Sequence, residues 1–201
     1  MLFFLGEFSN QAEAICPRGT LRRVLSRCAE LGFSAMGALE FEFFVFDETP
    51  DSIREKGYQN LKPITPGNFG YSVLRNTVWA EFYHGLMSTM EAMDVPIEGL
   101  HTETGPGVLE VAIGVDDALN AADKAALFKT FTKVVAQRGD LMATFMAKWS
   151  PKYPGQSGHT HISLRNEDGS SAFHQEDAQY NMSETMRHFL GGCQRYMPEV
   201  L

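Results

Sequence analysis

The segment ALEFEFFVF at positions 38–46 places two glutamates inside a run of aromatic residues. In an extended chain successive side chains point to opposite faces, so Glu40 and Glu42 share one face with Phe44. Phe41 and Phe43 fill the other face, and this density of phenylalanine predicts a buried strand. Burying two adjacent carboxylates without partners is strongly unfavourable. A chain with this segment therefore has to supply something cationic opposite the two glutamates.

Composition narrows the class of protein. The chain has 201 residues, 44% of them hydrophobic and 21% charged, which predicts one large globular domain, or a domain with an appendage. A net charge of -8 with no cluster of Lys and Arg argues against nucleic-acid partners and suits divalent cations or cationic substrates. Three cysteines without CxxC spacing argue against a disulfide framework and favour a cytoplasmic location.

The first residues, MLFFLGEF, are apolar for too short a run to be a membrane span and lack the basic start of a signal peptide. We therefore expect no membrane association, and we interpret residues 1–15 as a remnant strand that precedes the main domain. The helical pattern at residues 183–196 runs directly into the end, MPEVL. Both ends lead us to expect a fragment of a larger protein.

Hydrophobic periodicity predicts helices at residues 17–32, 72–93, 118–138 and 183–196. Strands are predicted at 38–46, on both sides of the Gly105-Pro106-Gly107 turn, in LMATFMAKW and in HTHISLRN. Residues 47–70 are rich in Pro, Gly, Asn and charge, which is typical of a long loop, with a short strand inside it as the alternative. Helices alternate with strands that are mostly neighbours in sequence, which favours an α+β fold with a largely antiparallel sheet.

Residues of metal-ligand type recur on the predicted strands. Glu103 and Glu110 flank the Gly-Pro-Gly turn, with Glu98 and His101 just upstream, and GHTHIS carries His159, His161 and Ser163 on one strand face. Together with Glu40 and Glu42 these give several carboxylates and one or two imidazoles. Such a set favours Mg²⁺ or Mn²⁺ over zinc, and it suits two ions better than one.

Each motif by itself has a simpler interpretation. An E-x-E on a strand is more often an exposed charged face, and an H-x-H pair is more often solvated than metal-bound. We expect His84, His174 and His188 to face solvent or to be ordinary helix residues. The joint occurrence of the carboxylate and imidazole motifs, in one chain, is what favours a metal site.

The ordered motifs EFEFFVF, HTETGPGVLE, TFMAK and GQSGHTHISL resemble the catalytic domain of the glutamine synthetase family. The resemblance covers nearly the whole chain, including the helix AADKAALFKTFTKVVAQRG. It implies an α+β glutamine synthetase-type catalytic domain with a largely antiparallel curved sheet flanked by helices, truncated at both ends. Residues 16–201 would be the partial catalytic domain.

The resemblance also implies roles for individual residues. Glu42, Glu103 and Glu110 would hold the metal that orders the substrates, and these three are the expected catalytic residues. Glu40 and His159 would hold a second metal at the ATP phosphates, with a third ligand beyond Leu201. Nucleotide contacts are implied for Glu98, His161 and Ser163, and contacts with the substrate glutamate for Gly155 and Glu103.

The implied activity is that of an ATP-dependent ligase in nitrogen metabolism and glutamine biosynthesis. It joins glutamate to ammonia or another amine through γ-glutamyl phosphate, with Mg²⁺ or Mn²⁺ as cofactor. Positioning and charge neutralisation catalyse such phosphoryl transfer. The family forms ring-shaped homo-oligomers, dodecamers among them, whose sites lie between subunits, so we expect this piece by itself to be inactive.

The chain departs from the family pattern at a few positions. Val108 stands where Gln is usual, Thr102 where many members have a second His, and Ala147 and Trp149 replace common prolines. No expected metal ligand within the chain is lost, so the identity of the amine is what these changes leave open. Two alternatives to a ligase remain: a non-catalytic relative with a structural or binding role, and a two-metal phosphoester hydrolase.

Overall fold

The computed structural model describes residues 3–200 and divides the chain into two compact units. One unit comprises the residues up to Gly37, the short segment Asp116–Leu119, and the residues from His161 onward. The other unit comprises Ala38–Val115 and Asn120–Thr160. We call the first the terminal unit and the second the sheet unit.

Six α-helices and six strands are assigned in the described residues. The helices are α1 (Pro17–Glu30), α2 (Pro50–Glu55), α3 (Val73–Val78), α4 (Ala80–Ala92), α5 (Ala118–Arg138) and α6 (Glu184–Tyr196). The strands are β1 (Ser34–Phe46), β2 (Ile97–Thr102), β3 (Val108–Ile113), β4 (Asp116–Asp117), β5 (Met142–Thr144) and β6 (Gly158–Arg165). Short 3-10 helices cover Asn10–Ile15, Gln179–Asn181 and Met197–Glu199.

Strand β1 is the centre of the sheet unit. Phe44 is paired both with Val108 of β3 and with Thr144 of β5, and both pairings are antiparallel, so β3 and β5 lie on opposite edges of β1. Strand β2 pairs antiparallel with β3. The backbone N–H of Glu42 donates to the carbonyl of Ser157, 3.1 Å away, at the start of β6. The predicted α+β fold with a largely antiparallel sheet is confirmed.

The two faces of β1 enter two separate clusters of apolar side chains. Phe43 and Val45 have no exposed surface and pack with residues of α4 and α5, among them Leu86 and Phe128. The other face forms a smaller cluster of Phe44, Phe46 and Val108, which is covered by Leu61, Met142 and Trp149. The alternation predicted from the sequence is therefore present, and Glu40 and Glu42 lie on the face of the smaller cluster.

In the terminal unit, α1 and α6 begin at recognisable caps. Pro17 occupies the first turn of α1, where its missing N–H costs nothing, and the Cys16 sulfur accepts the N–H of Gly19. The hydroxyl of Ser183 accepts the N–H of Met186 at the start of α6. Asp116 of β4 pairs with Gly37 at the beginning of β1.

Two predictions near the start of the chain are corrected. The expected buried strand is not formed in residues 3–8, where Phe4 is 83% exposed, and a 3-10 helix follows; Met1 and Leu2 lie outside the described residues. Residues 47–70 are not wholly loop, because α2 forms there. Thr49 and Ser52 make a reciprocal capping box and Pro50 starts the helix, a local signal that outweighs the loop-like composition.

Two further predictions were too long. The helix expected at residues 72–93 is broken at Trp79 into α3 and α4. Trp79 has φ −108° and ψ 26°, and its indole N–H donates to the carbonyl of Ile64, 2.8 Å away. The strand expected over LMATFMAKW is limited to β5, because the chain after Phe145 leaves the edge of β1 and returns at Ser157. No helix in the described part of the chain is long and apolar enough to cross a membrane.

Candidate metal centre and active site

The acidic side chains of β1, β2 and β3 are brought together by strand register. Glu42 pairs directly with Glu110, and Glu110 pairs on its other side with His101. Glu40 is two residues before Glu42 on the same face of β1. This alignment forms a row of half-buried acidic and imidazole side chains across three adjacent strands.

Two overlapping groups in this row have the geometry of a metal site. Glu40, Glu110 and His159 offer three ligand atoms that all lie within 4.8 Å of one another. His101, Glu103 and Glu110 form a second such group, also within 4.8 Å. Glu110 belongs to both groups. Two neighbouring groups with a shared carboxylate could hold two ions, and the number of ions stays a prediction.

The pKa values of Glu110 and His159 are both raised by their surroundings. Burial raises the pKa of Glu110, and the charges of Glu42, Glu103 and Glu40 raise it further, while His101 acts in the opposite direction. The hydrogen bond between His159 Nδ1 and Glu40 Oε2, 2.7 Å long, raises the pKa of His159. The carboxylates are thus close enough to repel one another, which is the situation that a bound cation relieves.

Glu103 adds an acceptor that protein groups leave unused. Its Oε1 accepts the N–H of Thr104 at 2.8 Å, but its Oε2 is buried and has no hydrogen-bond partner among the described residues. Burial raises the pKa of Glu103, but the Thr104 N–H, the Tyr71 hydroxyl and the charge of His101 together outweigh it, so the pKa is lowered. The same Oε2 lies 3.9 Å from His101 Nδ1, an imidazole nitrogen that makes no hydrogen bond to it. An ionised carboxylate with a buried oxygen that lacks a hydrogen bond is suited to a cation.

Sequence reasoning missed Tyr71. Its ring stacks on His101 with centroids 4.8 Å apart, and the Glu103 carboxylate raises its pKa, with smaller contributions from Glu110 and Glu42. Tyr71 has φ +56°, a left-handed conformation that is uncommon for a bulky residue. Nothing in the flanking loop-like sequence indicates that this residue reaches the site.

Thr102 is the residue that holds this loop in place. The Tyr71 N–H donates to the Thr102 carbonyl at 2.6 Å, and the Ser72 N–H donates to the Thr102 hydroxyl at 3.0 Å. Thr102 is 1% exposed. Many members of the family that the sequence resembles have a His at this position. In this chain the short Thr102 side chain holds the loop that carries Tyr71 and Ser72.

The carboxylate of Glu42 contacts the segment that begins β6. Its Oε2 accepts the N–H of Ser157 at 2.7 Å, and Glu42 is in neither of the two ligand groups described above. Gly158 lies so close to the Glu40 carbonyl that a side chain there would collide with it. This close approach places His159 beside Glu40. The metal role expected of Glu42 stays a prediction.

A cavity of about 310 Å³ lies beside the acidic row. Glu40, Glu42 and His159 border it, together with the segment 156–158. The loop before this segment is held by the Ala147 carbonyl, which accepts the N–H of Gln156 at 2.8 Å. Gly155 passes close to the same carbonyl, and a Cβ at this position would lie 2.8 Å from its oxygen. Gly155 directly precedes Gln156, which lines this cavity, and its contact with glutamate stays a prediction.

The residues expected to contact the nucleotide are divided between the two units. Glu98 is exposed and lies at an irregularity in β2, between Ile97 and Gly99. His161 and Ser163 lie on the part of β6 that belongs to the terminal unit. Their nucleotide roles stay predictions.

The donor set fits a hard divalent cation. Carboxylate oxygens dominate, with one imidazole in each group and no thiolate, and this favours Mg²⁺ or Mn²⁺ over zinc. The fold and the site together define a class of protein. It is an α+β protein with an open antiparallel sheet, and one face of the sheet carries a row of carboxylates and imidazoles that could hold a divalent metal. Comparison with known proteins identifies the family within that class.

The family model described as "Glutamine synthetase, catalytic domain" matches residues 14–201. Type-1 glutamine synthetase 2 of Dictyostelium discoideum is 42% identical over 188 residues, which are 93% of this chain and 36% of that protein. Glutamate–isopropylamine ligase of a Pseudomonas species is 32% identical over 178 residues, 89% of this chain and 39% of that protein. The chain belongs to the glutamine synthetase family.

The solved structures agree on the fold. A ligand-free structure of GmaS matches with a TM-score of 0.76 and 29% identity, over 89% of this chain and 41% of that one. The chain therefore spans about two fifths of the length of the relatives described here, and corresponds to part of their catalytic domain. The boundary expected at residue 16 stays a prediction.

Proposed function

We propose that the protein containing this chain is an ATP-dependent ligase that forms a γ-glutamyl amide from glutamate and an amine. The observation that carries the proposal is the pair of overlapping groups, Glu40–Glu110–His159 and His101–Glu103–Glu110, in a chain of this family. Mg²⁺ or Mn²⁺ held by these groups would neutralise charge on the ATP phosphates and on the glutamate carboxylate. Unlike a non-catalytic relative, the chain keeps every ligand-type residue expected within its span.

The proposed reaction has two steps. A γ-carboxylate oxygen of glutamate attacks the γ-phosphorus of ATP, and ADP leaves, which gives γ-glutamyl phosphate. The amine nitrogen then attacks the γ-carbonyl carbon, phosphate leaves with the former carboxylate oxygen, and the amine loses one proton. The chain's own residues contribute by placement: Tyr71 and His101 wall the site at Glu103, and the Ser157 N–H fixes the Glu42 carboxylate.

The acceptor that we propose is an amine with an alkyl substituent. Val108 and Trp149, two of the departures from the family pattern, pack in the same apolar cluster with Phe44, on the face of β1 that carries Glu42. The buried Trp149 indole N–H has no hydrogen-bond partner among the described residues. Val108 and Phe44 have no more than 1% of their surface exposed, so of these residues only the half-buried Trp149 can face an amine. An indole at this position favours a substrate that brings its own apolar group. The relative named as a glutamate–isopropylamine ligase, 32% identical over 89% of this chain, supports the same acceptor class.

The test is an amine screen on the product of the whole reading frame. Phosphate release is measured with ATP, glutamate and Mg²⁺ or Mn²⁺ held constant, while ammonia and short alkylamines are varied. The proposal predicts release that requires both glutamate and an amine. Release without glutamate would instead indicate a hydrolase, and the absence of turnover with intact metal binding would indicate the non-catalytic alternative.

The acceptor assignment has its own test. Trp149→Ala should lower kcat/KM for an alkylamine by about tenfold while changing that for ammonia less, since it removes apolar contact and leaves the carboxylates intact. Trp79→Phe, on the helix side of the sheet, is the matched control. Equal losses for both acceptors in Trp149→Ala would show that Trp149 supports the fold and does not select the amine.

Two further parts of the proposal concern the whole protein. We propose a homo-oligomer, as the resemblance implies a ring, and mass measurement in solution tests this. We also propose a cytoplasmic location, because the three cysteines are all unpaired in the structure. Localisation of the tagged protein by microscopy or fractionation tests that part.

A further inference from the structure

The terminal unit contains an apolar cavity of about 600 Å³, bordered mainly by α1, β6 and α6. All of its lining residues belong to that unit, and none of them lines the cavity beside the acidic row. Among the described residues that line it, all are apolar except Arg27, Thr185 and His188. Neither the metal groups nor the proposed amine acceptor site accounts for this cavity.

The two helices at this cavity bury very little of their apolar surface. Gly19 is the only buried residue of α1, and α6 has none. At the cavity, Val24 is 58% exposed and Leu31 is 62% exposed, and Ile162 of β6 is 48% exposed. Short helices derive most of their stability from packing an apolar face against the rest of the protein. The described residues therefore leave α1 and α6 without cover on the face that borders the cavity.

The lining offers little to a charged ligand. Arg27 already forms an ion pair with Glu30 on the same helix. No Asp or Glu is among the described residues that line the cavity. An exposed apolar surface of this kind is typical of a place where another apolar group packs. Apolar side chains are therefore the occupant that suits the lining.

A segment of the same polypeptide is the occupant that the chain lengths favour. The match to GmaS covers 41% of that chain, so about three fifths of this relative lies outside the matched part. Helix α6 borders the cavity, and its last residue, Tyr196, is close in sequence to Leu201. Polypeptide that continues from Leu201 in the whole protein is tethered to this wall, and a short tether gives an effective concentration in about the millimolar range. A segment attached before Met1 has the longer tether, since α1 begins only at Pro17.

We propose that this cavity is the docking site for an apolar segment of the same polypeptide that follows Leu201 in the whole protein. The segment covers the apolar faces of α1 and α6 and closes the cavity to solvent. This docking does not depend on ligase activity, because it concerns only the packing of the terminal unit.

The test is site-specific photo-crosslinking in the product of the whole reading frame. The photoreactive amino acid p-benzoylphenylalanine replaces Leu31, which lines the cavity at the end of α1. In a matched control it replaces Ser26, which is exposed on the same helix and does not line the cavity. After irradiation, mass spectrometry gives the mass of the product and identifies the crosslinked peptides.

We expect the Leu31 position to crosslink within one polypeptide, to a peptide that follows Leu201, and the Ser26 position to give no such crosslink. A product of doubled mass would show that a second copy covers the cavity. That result would overturn the proposal. A crosslink to a segment before Met1, a crosslink confined to residues 1–201, or equal yields at both positions would also overturn it.

Cys28, another lining residue, allows a second measurement without any substitution. The whole protein is treated with N-ethylmaleimide, and modification of Cys28 is followed in its own tryptic peptide, in the folded protein and in guanidinium chloride. A docked segment should slow this modification by more than about tenfold relative to the unfolded protein. A smaller difference would show that the cavity is open in the whole protein and would overturn the proposal.

Discussion

Glu110 is the residue at which the metal-site interpretation makes its sharpest prediction. Replacing its carboxylate by the isosteric amide in Glu110→Gln should stabilise the metal-free chain and abolish stabilisation by metal. The reason is that Glu110 is in both ligand groups and lies among the charges of Glu40, Glu42 and Glu103. Removing the charge relieves repulsion when no cation is bound, and removes a shared ligand when one is.

The distances set the size of the effect. Ligand atoms of Glu110 and of Glu40 or Glu103 are within 4.8 Å, and two unit charges at that distance repel by about 3 kcal/mol at an effective dielectric constant of about 20. His101 Nε2, 3.7 Å from the Glu110 carboxylate, offsets part of this when the imidazole is protonated. We therefore expect Glu110→Gln to gain about 1–3 kcal/mol in the metal-free state, or about 3–10 °C in Tm.

The pH dependence of this stability gain follows from the raised pKa of Glu110. A carboxyl whose pKa is higher in the folded state favours folding at low pH and opposes it once pH rises through that pKa. The gain from Glu110→Gln should therefore be present at pH 7 and vanish when Glu110 is protonated. Thermal unfolding of both chains, in EDTA and across this pH range, measures the difference.

The second half of the prediction is measured with MnCl2. At a concentration one hundred times the dissociation constant, a site that exists only in the folded chain stabilises it by about 2.7 kcal/mol. Glu110→Gln should lose this increment, whereas Glu91→Gln, at an exposed position of α4, should keep it and gain nothing in EDTA. A Glu110→Gln chain that is destabilised in EDTA, or that Mn²⁺ stabilises as before, would refute the reasoning.

Two other predictions concern the frame around the site. Burial raises the pKa of Glu48, but hydrogen bonds from Lys56, Ser52 and the Lys62 N–H outweigh it and lower the pKa to about 2. The ionised carboxylate therefore stabilises the fold above its ordinary pKa, and this stabilisation is lost as pH falls from about 4.5 to 2. Glu48→Gln should lower the free energy of unfolding by about 2 kcal/mol at pH 7. Urea unfolding at a series of pH values should show that the variant loses less stability than the unaltered chain between about pH 4.5 and 2. Gly107→Ala should destabilise the fold by more than the left-handed penalty of about 1–2 kcal/mol, since a Cβ would lie 2.5 Å from the Val45 carbonyl. Gly169→Ala, at φ +83° with open space, should cost only that penalty; equal losses in both would contradict the argument.

Local patterns in the sequence predicted most of the elements. Helix α5 covers Ala118–Arg138 as expected, because its apolar positions repeat at helical spacing over many turns. The faces of β1 also follow from alternation. What the pattern did not predict depends on tertiary contacts: the break at Trp79 accompanies a hydrogen bond to Ile64, far away in sequence.

The candidate site was predictable only in part for the same reason. Glu40, Glu103, Glu110 and His159 stood out as carboxylate and imidazole motifs, and the structure brings them together. His101 was noted only as a neighbour of Glu103, and its place beside Glu110 depends on the register between β2 and β3. Tyr71 comes from a loop, and its contact with the site depends on a left-handed turn held by Thr102, which no periodicity encodes.

The most direct test of the central claim is the fate of the oxygen atoms of glutamate. The whole protein is supplied with ATP, Mg²⁺ or Mn²⁺, an alkylamine, and glutamate labelled with ¹⁸O in its γ-carboxylate, and the released phosphate is analysed by mass spectrometry. A reaction through γ-glutamyl phosphate moves one ¹⁸O atom into each phosphate, together with one γ-glutamyl amide formed. Phosphate without ¹⁸O, whose oxygens come from ATP and from one water molecule, would show hydrolysis and contradict the ligase assignment.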